Sequence, residues 1–155
     1  VTASPSARLE ALGIVLPAPP QPIGRFTPAV RSGNLLFLSG LAPFSPDGKP
    51  IVGVVGRDFT TAEASELAWQ VGLNLLAVIA AETGGLDAVR RVVKLTGFVN
   101  AAPGFTAHPQ VIDGCSDLFD QLFGHLGPHA RTSVGAGSLP NGIPVEIEAV
   151  VEVAG

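Results

Sequence analysis

The chain has 155 residues, 46% hydrophobic and only 14% charged, with 9 basic and 13 acidic side chains giving a formal charge of −4. The length suits one ordinary domain with a real core. The charged share is well under the usual quarter, so contacts between subunits are expected to bury what one core cannot. Arg90-Arg91 is the only adjacent basic pair, which argues against an extended phosphate-binding surface and a nucleic-acid partner.

In chain order, "SARLEALGI" (6–14) is patterned as a short amphipathic helix with Leu9 and Leu12 on one side and Gly13 as its stop. "VLPAPPQPIG" (15–24) carries four prolines and must be extended. Residues 1–22 therefore read as an N-terminal extension and 23–155 as the domain. "RFTPAV" (25–30) and "NLLFLSG" (34–40) are strand-like around the turn signal "RSGN", 42–50 is loop, and "IVGVVG" (51–56) is a candidate short strand.

The clearest helix follows. Thr60 caps it and Glu63 closes a capping box; Leu67, Val71, Leu75 and Val78 fall on one face, and Gly84-Gly85 ends it. "RVVKLTGFVN" (91–100) is a strand rich in β-branched residues. A second helix has Pro109 near its first turn and one stripe of Val111, Cys115, Leu118 and Leu122, widened by Ile112, Phe119 and Phe123. "ARTSVGAGSL" and "IPVEIEAVVEV" are two further strands around the turn "PNG". Two helices cannot cover both faces of a five- or six-stranded sheet. They are expected to pack on one face of a mixed sheet, an α+β layout that leaves the other face for a partner subunit.

The single cysteine, Cys115, rules out an intramolecular disulfide. With no signal pattern and no apolar run read as long enough to span a membrane, the cytoplasm is the expected compartment and no membrane partner is expected. Cys115 shares an apolar helix stripe, so packing is preferred over nucleophilic work. His108, His125 and His129 lack a regular ligand spacing, so no metal is expected. "GAG" (135–137) opens no helix and is not a phosphate loop.

The residue that asks for a partner is Arg131, in "HARTSVG" (129–135), because arginine is rarely buried alone. By alternation Arg131, Ser133, Gly135 and Gly137 share one face, and Thr132, Val134 and Ala136 are expected to meet the helices. If the last two strands form a hairpin around Asn141-Gly142, Arg131 lies opposite Glu152. A structural ion pair contributing about 1 kcal/mol or less is then one account of it. The other account is a carboxylate receptor, the guanidinium fork matched to two oxygens, with Ser133 and Gly135 leaving room and a glutamate handling water. In the same hairpin Glu146 would sit opposite Gly137, about 20 Å from Arg131 at roughly 3.3 Å per residue. If the two cooperate, they come from different chains.

"GRFTPAVRSGNLLFLSG", "VVKLTGFVN", "HARTSVG" and "LPNGIPVEIEAV" resemble, in order and spacing, the RidA (YjgF) family, over about Ile23 to Val153. The resemblance implies a chorismate-mutase-like mixed sheet with two helices on one face. It also implies homotrimers with the sheets facing inward and clefts between subunits, and hydrolysis of 2-imino or enamino acids to 2-keto acids and ammonia without a cofactor. By the same resemblance Arg131 would bind the substrate carboxylate, Glu146 would position the attacking water and Gly40 would offer backbone contacts. Phe26 and Ser133 would border the substrate. Phe26 stands where deaminating members usually carry tyrosine, and Ser133 where cysteine is common. The lost phenol keeps a second class open, a non-catalytic trimer that binds small carboxylates. Endoribonuclease activity ranks below both, because the chain is acidic and has no basic stripe.

Overall fold

In the computed structural model of the chain, which describes residues 2–155, five strands form one mixed sheet and two long helices cover one of its faces. The strands are β1 (Ala29–Ser32), β2 (Leu35–Leu41), β3 (Val89–Asn100), β4 (Ala130–Ala136) and β5 (Val145–Val153). They lie in the order β1-β2-β5-β3-β4. The helices are α1 (Pro5–Ala11), α2 (Thr61–Thr83) and α3 (His108–Phe123).

Local chemistry explains the helix bounds. The Thr60 hydroxyl accepts the Glu63 backbone N–H, and Gly84 ends α2 in the left-handed region at φ 83°. Every residue of the two expected helix stripes is buried. α2 corrects one expectation: by length and composition it is apolar enough to cross a membrane, yet 61% of its most apolar stretch is buried inside the fold as the central core helix. The strand signals at 25–28 and 51–56 were too generous. β1 starts at Ala29, and of the second segment only Val55 makes isolated bridges, to Phe59 and Ala101.

Topology brings the larger correction. β4 and β5 do not form a hairpin. β4 runs parallel to β3, with Leu95 opposite Arg131, and α3 is the crossover between them. β5 instead inserts between β2 and β3, antiparallel to both. The cause lies in the side chains. Val145, Ile147, Ala149, Val151 and Val153 form a fully buried row and profit from a central position. β4 carries Arg131, Ser133 and Gly135, has little to bury, and takes the edge. Glu152 accordingly sits between Leu35 and Arg91, not opposite Arg131.

The faces of β4 are also reversed from expectation. Arg131 reaches α3, while Val134, 40% exposed, lies on the open face. Val30, Leu35 and Phe37 are likewise exposed from the two strands at the other edge of the sheet. α1, capped by Ser4, is held by Ser6, whose backbone N–H and hydroxyl donate to Asp87 at 2.8 and 2.6 Å.

The two long helices approach closely at Gly72 and Gly114. A Cβ at Gly114 would overlap the Ser65 carbonyl, and one at Gly72 would meet Leu118 at 2.9 Å. Helix propensity alone favours alanine at a helical glycine by about 1 kcal/mol. Here the overlap reverses the sign, and Gly114→Ala is expected to destabilise by about 3 kcal/mol in denaturant unfolding. An unchanged or stabilised variant would contradict the close crossing.

Candidate functional site

The fold sorts the sequence-predicted site residues into two groups. Phe26, Gly40 and Glu146 line one cavity of about 220 Å³. Gly40 sits where the β2–β5 register shifts between Leu38 and Leu41, and this irregularity turns its backbone against the glutamate. A Cβ on Gly40 would stand 3.0 Å from the Glu146 carboxyl, so the glycine leaves room for the carboxylate to lie close against the backbone. Burial pushes the Glu146 carboxyl above its ordinary range, and the negative charge of Glu148 adds to the rise. The remaining walls are mostly apolar. Pro20 and Pro22 come from the proline run, Phe44 and Pro50 from the long connection after β2, and Ile143 from the segment entering β5. Phe26 presents its ring, 52% exposed, at this cavity.

Arg131 and Ser133 belong to the second group, at the β4 edge on the helix side. The Arg131 Nη1 donates to Asp113 Oδ1 at 2.6 Å and to Ser116 Oγ at 3.0 Å, both on α3. The guanidinium side chain is 23% exposed and its Asp113 partner 49%. Nε and Nη2 make no hydrogen bond to a described residue, so one edge of the fork is tied and the rest is free. The Ser133 hydroxyl is buried without a partner. Beyond it, Gly135 leaves space for His108, whose Nε2 would lie 2.8 Å from a Cβ there. His108 also meets Phe105 edge to face at 5.3 Å.

Arg131 and Glu146 stand on opposite faces of the sheet. Val134 and Glu146 are both opposite Phe98, so the two site residues are separated by two strand spacings of about 4.8 Å and three residues of about 3.3 Å, roughly 14 Å in all. One chain therefore does not bring them to one small ligand. The separation follows from β4 lying two strands away from β5 across β3, not from a hairpin between them.

Asp113 and Ser116 had no functional signal in the sequence. They flank the apolar stripe of α3, and only the β3–α3–β4 crossover carries them to Arg131. The proline run and the connection after β2 were legible as irregular chain, but not as cavity walls. Among the described residues no cluster of three metal-ligating side chains occurs. Cys115 is buried, and that burial pushes its thiol far up, although the Arg131 charge opposes the shift. It packs, as expected from its stripe.

Residues 17–153 match the family model described as Endoribonuclease L-PSP. The chain is 40% identical to Protein TCP17 of Trypanosoma cruzi over 149 residues, covering 96% of this chain and 93% of the relative. It is 30% identical to a 2-iminobutanoate/2-iminopropanoate deaminase of Dermatophagoides farinae over 140 residues, covering 90% and 94%. A crystal structure of an Agrobacterium tumefaciens protein of unknown function superposes with a TM-score of 0.85 at 41% identity, covering 96% of this chain and 91% of that one. The L-PSP fold, the cavity around Glu146 and the arginine at the sheet edge thus come together in a chain that belongs to the RidA (YjgF) family.

Proposed function

We propose that the protein is a homotrimer that hydrolyses 2-imino or enamino acids to 2-keto acids and ammonia, with Arg131 of one chain facing the Glu146 cavity of the next. The observation that carries this reading is the division of the site. A half-free guanidinium and a half-buried carboxylate sit on opposite faces of one sheet, and each is useful to a small acid only when a second copy supplies the other. The apolar side chains exposed on the open face give such copies a surface to share. The name borne by the Dermatophagoides relative supports the chemistry.

In this reading the free edge of Arg131 pairs with the substrate carboxylate. Glu146 accepts a proton from water as its oxygen attacks the imine carbon. Glu146 passes that proton to the imine nitrogen, giving a carbinolamine. The carbinolamine hydroxyl proton then moves by way of Glu146 to the amine, the C–N bond breaks, and the ketone and ammonia are released. Gly40 gives the backbone clearance that Glu146 needs, and the apolar walls with Phe26 take the substrate side chain. Ser133 borders the carboxylate end. The ring of Phe26 offers shape but no hydroxyl, so water handling falls to Glu146 alone.

The reading is tested by generating 2-iminobutanoate in situ and following the keto acid against semicarbazide trapping. Arg131→Ala is expected to lose about 100-fold in kcat/KM, the loss of a charge-assisted pair; retained activity would remove Arg131 from the site. Carboxylate binding without turnover would favour the non-catalytic alternative, and a monomer at working concentration would sink the shared cleft. Because Glu146 must be ionised to accept the proton, activity is expected to rise with pH through its raised pKa. Glu148→Gln removes a like charge, so the acid limb of the kcat profile should move to lower pH. A limb that stays in place would mean that another group titrates.

A further inference from the structure

We infer that Asp113 and Ser116 are positioning residues, which aim Arg131 so that its unpaired edge faces an incoming carboxylate. The inference rests on the proposed role of Arg131 and adds two residues to it. Both bonds converge on a single nitrogen, Nη1, at 2.6 and 3.0 Å. A carboxylate that simply neutralised the arginine in a bidentate pair would occupy two nitrogens. Here Nη2 and Nε are spared, and together they form an intact two-donor edge.

The pair also differs from the other ion pairs of the described residues. Lys49–Asp47 and Arg57–Asp58 join near neighbours in exposed loops. Arg131–Asp113 spans 18 residues and ties the edge strand to the helix above it. Its second acceptor, Ser116, is itself buried and lies one helical turn from Asp113, so the two oxygens meet the guanidinium from one face of α3. An arginine side chain has several rotatable bonds, and freezing them on binding is costly. Two anchors on one nitrogen meet that cost in the free protein, before any ligand arrives.

Fastening the strand and aiming the arginine make different demands, and kinetics separates them. For Asp113→Ala the KM for 2-iminobutanoate is expected to rise about tenfold while kcat moves much less. Ser116→Ala should raise KM by about threefold. Asp113→Asn keeps an oxygen acceptor toward Nη1 and is expected to recover most of the lost affinity. Thermal unfolding of each variant accompanies the kinetics, so that a folding defect is recognised and the Asn variant carries the test. A fall in KM for Asp113→Ala would overturn the inference, because Asp113 would then be a competitor for the guanidinium. A loss confined to kcat or to Tm, or an Asn variant no better than Ala, would overturn it as well.

Direct titration with 2-oxobutanoate keeps this test apart from the deaminase reading. If the wild type binds the keto acid but does not turn the imine over, hydrolysis fails and the same ranking of variants is read from Kd. If the wild type binds it through Arg131 and the α3 variants bind equally well, the positioning role alone fails. If Arg131→Ala binds as tightly as the wild type, both fail.

Discussion

β5 holds this molecule together, and its two rows of side chains serve two purposes. One row, from Val145 to Val153, is buried beneath α2 and fixes the strand at the centre of the sheet. The other row carries Glu146, Glu148 and Glu152 onto the uncovered face. A one-residue slip would exchange the rows, burying three carboxylates in the core. The position of Glu146 is thus tied to the alternation that buries the apolar row.

From that placement the site divides. With β5 inserted between β2 and β3, β4 is pushed to the margin, where α3 returns over it. The arginine belongs to the helix side and the glutamate to the open side. Neither is isolated: Asp113 and Ser116 hold the first, and the Gly40 backbone makes space for the second. The two halves are built independently and each is complete as a half.

Elements dominated by local rules were readable from the residues. The Thr60 cap with Glu63, the Gly84 stop and the stripes of α2 and α3 all lie where periodicity put them. Alternation in β5 correctly separated the buried row from the acidic one. In β4 the same rule groups Arg131 with Ser133 but turns the wrong row toward the helices, because neither row is strongly apolar and Arg131 finds its partners on α3. The "PNG" turn looked like a hairpin signal, and its Asn141 does adopt a left-handed conformation at φ 56°. Which strand β5 joins depends on the apolar row seeking two neighbours, a non-local matter that no turn motif encodes. Asp113 was invisible for the same reason, since its meaning comes from a crossover.

The segment containing Pro17, Pro19, Pro20 and Pro22 forms part of the cavity wall. Proline rings fix backbone torsions even in the unfolded chain, so ordering this stretch forfeits little freedom. A wall made this way needs few hydrogen bonds to hold its outline. Its stiffness is carried by covalent rings, which lets an irregular strand-free segment present a constant contour as the temperature rises.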